Sequence, residues 1–180
     1  MNKIELIYLV EVFKSIIKMK KQKPLKCYVL LVSRYFGKES KQAGEPTNFV
    51  EKILDGSKKH TIRLNYQHWE KRFEEIKAGK AYLSLRYWLD APYKSPQEEF
   101  LKLTAADGIG LQKVSFPMGV FIDDCDSNVK LKTLAENDGL DFETFKEWFG
   151  DKLTANNDNE DLAIIHFTNF RYTNSKSEND

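Results

Sequence analysis

Cysteine, histidine and net charge are scarce in this chain, and each scarcity removes a class of protein. Only two of 180 residues are cysteine, Cys27 and Cys125, and neither sits in a CxxC or metal-ligand spacing. A disulfide scaffold is therefore not expected, and a reducing, cytoplasmic compartment is. Three histidines, His60, His68 and His166, show no recognised metal-ligand spacing, so no metal is expected. There is no glycine-rich phosphate loop and no serine-histidine-aspartate order, and no cofactor is implied. The apolar stretch from Ile4 to Ile17 is broken by Glu5, Glu11 and Lys14, runs straight into Lys18 and lacks a small-residue cleavage site. It reads as neither a spanning helix nor a signal peptide, which predicts a soluble protein with no membrane partner. A net charge of +1 gives no global signature of a nucleic-acid binder, so any such role must rest on local charge.

What is present is the material for a core. Hydrophobic residues make up 41% of the chain and aromatics 13%, enough for one packed domain at this length. The charge, small in sum, is segregated. Residues 1–42 carry ten Lys/Arg against three Glu, and residues 123–180 carry six against fourteen Asp/Glu. The two ends either attract each other in the fold or leave a basic binding face.

In chain order, residues 1–26 read as an amphipathic helix and a basic linker. Leu6, Leu9, Val10, Phe13, Ile16 and Ile17 recur at helical spacing, and Lys18, Lys20, Lys21, Lys23 and Lys26 surround Pro24. That stripe packs on the domain or on a second copy, or lies on a membrane surface. Residues 27–172 form the main domain. Cys27–Val32 is a buried first strand, and Ser33–Thr47 a long loop opening with Arg34, Tyr35 and Phe36, a cation and two rings. Trp69, Phe73 and Ile76 mark a helix ending near Gly79, and Ala81–Leu89 alternates as a strand. Pro96 opens a short helix through Leu103; Ile109–Phe116 and Met118–Ile122 are strands, and Val129–Leu131 a weak one. Asp141 caps a helix that Gly150 ends, and Leu162–Tyr172 is the closing strand. Thr173–Asp180 is a mobile tail.

The most informative stretch is Gly56-Ser57-Lys58-Lys59-His60-Thr61-Ile62-Arg63. Asn48 with Glu51 predicts a capping-box start to a helix that Gly56 ends, after which Thr61 and Arg63 share one face of a strand and Ile62 the other. The pattern Gly56, Lys58, Thr61, Arg63, with a second block at Leu134–Leu140, then Phe145, Trp148-Phe149 and a strand at Ile164–Phe167, resembles the ASCH domain of the PUA-like superfamily. The resemblance covers roughly Tyr28 to Tyr172. It implies an α+β fold built on a mixed β-barrel, here expected with five to seven strands and with helices at 48–55 and 66–78 outside it; the amphipathic stripe of residues 1–26 adds an amino-terminal helix. It also implies a cleft for RNA or a nucleotide and, in some members, amide hydrolysis on an acetylated cytidine.

In that hydrolytic set the resemblance gives the lysine and threonine roles to Lys58 and Thr61. The acid falls on Asp138, one methylene shorter than the family's glutamate. A buried lysine can take a hydroxyl proton and an acid can protonate a leaving amine. The shortened acid favours binding over turnover, because a displaced carboxylate of this kind costs about a hundredfold in rate. In the binding reading Lys58 and Arg63 contact phosphate or a base edge, Thr61 hydrogen-bonds the same ligand, and Tyr82, Arg86 or Trp88 stacks against it. The bland alternatives stay open: Trp88 in the core, Arg86 paired with a surface acid, and a purely structural or protein-interaction module.

Overall fold

A computed structural model describes residues 5, 7–9, 11–12, 14, 23–117, 119–154 and 161–173. Along the chain β1 (Lys26–Leu31) leads through the long loop to α1 (Phe49–Leu54), then β2 (His60–Arg63), α2 (Tyr66–Lys77), β3 (Ala81–Trp88) and β4 (Gln97–Leu103). A 3-10 turn at Ala105–Asp107 precedes β5 (Gly110–Ser115), β6 (Phe121–Ile122) and β7 (Cys125–Asp126). Last come α3 (Leu131–Asn137), α4 (Phe142–Thr154) and β8 (Leu162–His166). The expected α+β class is what the chain adopts.

The strands do not close into a barrel. They form a three-stranded sheet, β1-β3-β4, and a five-stranded sheet, β2-β8-β5-β6-β7. Parallel β1 and antiparallel β4 flank β3. In the larger sheet β8 lies between β2 and β5, and all five of its residues are buried, as the unbroken apolar run Leu162–Ile165 requires of a central strand. Where β1 and β2 would have to pair to continue the ring, a side chain takes the place of a ladder. The Arg63 guanidinium donates to Leu31 O at 2.8 Å and to Ile62 O at 3.1 Å, tying the last residue of β2 to the last residue of β1. Leu30, Leu83 and Leu85 from the smaller sheet, Ile62 from the larger, and Phe73 and Phe145 from α2 and α4 belong to a single core cluster among the described residues.

Several local expectations are corrected. The segment after Pro96 is strand β4, because pairing with β3 buries Leu103 and half-buries Phe100 and Leu101, and such packing outweighs intrinsic propensity. Leu131 starts α3 rather than ending a strand, α4 continues past Gly150 to Thr154, and the closing strand stops at His166. Asn48 precedes α1 in the left-handed conformation with no side-chain capping bond, so the capping box does not form. Asp141 does cap α4, accepting from Thr144 N at 2.9 Å. Of the amino-terminal stripe, Leu6, Val10, Phe13, Ile16 and Ile17 lie outside the described residues, as do most of the basic linker and the tail from residue 174. Glu5, Ile7, Tyr8, Leu9, Glu11, Val12 and Lys14 are helical, and Leu9 is exposed. Among the described residues no helix is long and apolar enough to cross a membrane.

The Arg63 seam gives a direct expectation. Arg63→Lys keeps the charge but offers no planar fork to two carbonyls. It should lower the unfolding free energy by about 1–3 kcal/mol in urea titration, the cost of leaving a buried polar group unpaired. Unchanged stability would show that the guanidinium does not join the sheets.

Candidate functional site

The Gly56–Arg63 stretch folds as a turn that drives one lysine inward. After α1, Gly56 takes a positive φ of 81°, Ser57 N donates to Asp55 Oδ1 at 2.8 Å, and Lys58 N donates to Lys52 O at 2.7 Å. The chain then docks on the turn after α3, where Lys59 N donates to Asn137 O at 2.8 Å. Gly139, with φ of 74°, completes that turn, and a Cβ there would sit 3.2 Å from the Lys58 stem. Asp138-Gly139 thus supplies a carboxylate and the room for a lysine to reach it.

Lys58 and Asp138 are 2% and 4% exposed. The Lys58 ammonium donates to the Asp138 carbonyl and lies 3.2 Å from Asp138 Oδ1. Oδ1 also accepts from Ile62 N at 3.2 Å, and His60 Nδ1 stands 3.5 Å away. Behind His60 the network runs on: Nε2 meets the Tyr172 hydroxyl at 2.8 Å, and that oxygen accepts from Asn137 Nδ2 at 2.9 Å. On the other side the ammonium sits 4.3 Å from the centre of the Phe49 ring.

These surroundings set the charges. Burial lowers the Lys58 ammonium to about 8; Asp138 opposes that shift, and Arg63 and Lys52 assist it. Burial alone would raise the Asp138 carboxyl, but Lys58, His60 and Arg63 outweigh it and hold the group below the usual carboxylate range. Both partners are therefore predominantly charged at neutral pH.

The other anticipated residues are placed as follows. Thr61 is buried on β2, and the hydrogen bonds of Lys58 and Asp138 go to each other and to Ile62 rather than to its hydroxyl. The Arg63 guanidinium is engaged with two backbone carbonyls. Tyr82 and Arg86 lie on the face of β3 opposite core residues Leu83 and Leu85. There Lys102 Nζ sits 4.0 Å from the centre of the Tyr82 ring, and Arg86 Nε donates to Ser84 Oγ at 2.7 Å, with Glu99 at 3.6 Å. Trp88 packs against the Tyr93 ring at 5.4 Å. None of these contacts joins the three residues to the Lys58–Asp138 pair.

What faces solvent near the pair is the start of the long loop. A cavity of about 80 Å³ is lined by Arg34, Tyr35, Asn48, Phe49 and Glu51 among others, and Phe49 carries the Lys58 ammonium at its ring. Sequence had marked Arg34 and Tyr35 as a cation and a ring near the site. It had no signal for Tyr87, whose ring also flanks Arg34, or for the network of His60 and Tyr172, which the fold brings to Asn137 and Asp138. Comparison with protein-family models, curated proteins and solved structures returned no match.

The histidines beside the pair carry the pH dependence. His166 is buried with neither ring nitrogen hydrogen-bonded; its ring lies among His60, Phe170 and Tyr172. Burial pushes both imidazoles below their ordinary value; nearby cationic charge adds to this at each, while Asp138 opposes it at His60. Below about pH 6.5 the unfolded chain then binds protons that the folded chain does not, so stability falls as pH drops. The Asp138 contribution is lost only below about pH 3.9, the ordinary carboxylate value. Between about pH 7 and pH 5, His166→Phe should therefore flatten the loss of unfolding free energy. The same slope in variant and parent would contradict this account.

Proposed function

We propose that this chain is a PUA-like domain of the ASCH type that binds single-stranded RNA or a nucleotide at the cavity between the β1–α1 loop and α1. The observation that carries the reading is the setting of Arg34. Its guanidinium carbon lies 5.6 Å from the Tyr35 ring centre and 5.1 Å from that of Tyr87, at the mouth of the Phe49 cavity. A guanidinium that lies against two aromatic rings, with Nη1 3.5 Å from Leu89 O and Tyr35 55% exposed, supplies a phosphate contact and a stacking surface together.

The remaining lining suits a base edge. Asn48 is held at a φ of 55°, which costs a non-glycine residue about 1 kcal/mol or more, and its amide makes no capping bond. An uncommitted amide offers donors and an acceptor, and the Glu51 carboxylate beside it offers an acceptor alone. Lys58 supports this cavity through the Phe49 ring rather than by touching a ligand.

A second reading has its own observation. A lysine lowered to about 8 beside a carboxylate is the kind of base that amide hydrolysis on an acylated nucleoside requires. In that reaction the neutral amine form of Lys58 would take the Thr61 hydroxyl proton as the oxygen attacks the acyl carbon, that proton would pass through Asp138 to the departing amine, and water would then hydrolyse the acyl-threonine to acetate. Neither cavity described here is lined by Lys58 or Asp138, which favours binding without turnover.

Fluorescence titration with a labelled single-stranded RNA hexamer tests the binding site. Arg34→Ala and Tyr35→Ala should each weaken binding about tenfold, within the range for a lost stacking contact, and affinity should fall as salt rises. Parent-like affinity in both variants would remove the cavity from consideration. No acetate should be released from N4-acetylcytidine; release that Lys58→Met abolishes would instead establish the hydrolytic reading.

A further inference from the structure

The β1–α1 loop separates two cavities, and the second matters to the class of ligand. From Tyr35 the loop turns over Phe36, whose backbone N donates to Glu45 O at 2.9 Å, and Thr47 Oγ1 closes its base on Ser33 O at 2.6 Å. Its outer limb docks on α4: Lys41 N donates to Glu147 Oε1 at 2.7 Å, and Gln42 Nε2 donates to Thr144 Oγ1 at 2.9 Å. Between this limb and α4 lies a cavity of about 310 Å³, lined by Gly37, Lys38, Ser40, Glu147 and Trp148 among others. That volume reaches the lower end of the usual ligand-pocket range, roughly 300–1,000 Å³.

The two cavities share one aromatic partition. Phe36 meets Phe49 at 6.4 Å and Trp148 at 5.9 Å, both edge to face, and Phe49 lies 6.1 Å from Trp148. Phe49 lines the first cavity and Trp148, 43% exposed, lines the second. Tyr35 and Gly37, at the edges of the two cavities, are two residues apart, a span of about 7 Å at most. Lys38, next to Gly37 on the loop, lines the second cavity. Two exposed rings on either side of one loop, with Arg34 and Lys38 flanking them, match successive bases of one strand and the phosphates that join them.

We infer that the Trp148 cavity is a second base site, so that the ligand is single-stranded RNA spanning at least two nucleotides rather than a free nucleotide. This rests on the reading of the Arg34–Tyr35 cavity as the first base site. A base enters the second cavity with its face on the indole, and its exocyclic or ring N–H donates to the carboxylates of Glu39 and Glu147, which line the same space. The polar lining thus selects the base and not the phosphate, which stays outside beside Lys38.

Titrations with mononucleotides and with a mixed-sequence RNA hexamer, on parent and variants, test this directly. The hexamer should bind about tenfold or more tightly than any mononucleotide, as an added stacked base provides. Trp148→Ala should remove most of the hexamer's advantage while weakening mononucleotide binding far less. Trp148→Phe, which retains a ring, should restore much of the difference and abolish any hexamer-specific quenching of tryptophan emission. Hexamer binding no tighter than mononucleotide binding would overturn the inference and leave the cavity to another occupant, such as a peptide. Equal weakening of both ligands by Trp148→Ala would overturn it too, since Trp148 would then act only through Phe49. Absence of binding by either ligand would defeat the first site and the second together, whereas mononucleotide binding alone would defeat only the second.

Discussion

Lys58 and Asp138 meet in the interior, where a separated charge of either sign would be intolerable. Removing two ions from water costs several kcal/mol for each, and the chain recovers that cost only by supplying specific partners. The ammonium has a carbonyl, a carboxylate and an aromatic face; the carboxylate has the ammonium, a backbone N–H and a histidine nearby. These partners come from three places in the chain: Phe49 on α1, His60 and Ile62 on β2, and Asp138 in the turn after α3. The pair therefore fixes the turn after α1, the start of β2 and the turn after α3 against one another, and α1 in turn carries Phe49 to the floor of the cavity.

This arrangement separates two duties that a short motif leaves merged. The buried lysine and the strapping arginine of β2 hold the frame, Lys58 by joining two turns and Arg63 by joining two sheets. The exposed cation is supplied by the loop instead, in Arg34 between Tyr35 and Tyr87. A ligand in the Phe49 cavity would feel the Lys58 charge across a ring rather than through a hydrogen bond. The cost of burying the Lys58 ammonium is offset by the Asp138 carbonyl and carboxylate and by the Phe49 ring.

How much of this was legible in the sequence depends on the range of the interaction. Local and periodic features read correctly: Trp69, Phe73 and Ile76 fall on the buried face of α2, Asp141 caps α4, and the closing strand begins at Leu162, though it ends at His166 rather than Tyr172. The meeting of Lys58 with Asp138 was legible only through the family resemblance, because the two are 80 residues apart. Features decided by tertiary pairing were not legible. Gln97–Leu103 has no strong strand pattern of its own and becomes β4 by pairing with β3. Alternation placed Tyr82, Arg86 and Trp88 on a common face, but could not say whether that face turned toward the motif. Arg63 looked like a ligand contact because nothing in its neighbours signals the Leu31 carbonyl it reaches.

The central claim is that Lys58 and Asp138 are one coupled structural unit, and a double-mutant cycle measures that coupling. Lys58→Met and Asp138→Leu should each lower the unfolding free energy by about 3–5 kcal/mol, because each leaves an opposite charge buried without its partner. The combined variant leaves no stranded charge, so its loss in urea unfolding should be far smaller than the two single losses added together. Losses that simply add would contradict the account, since the two side chains would then contribute independently and the pair could not be what joins the turns beneath the cavity.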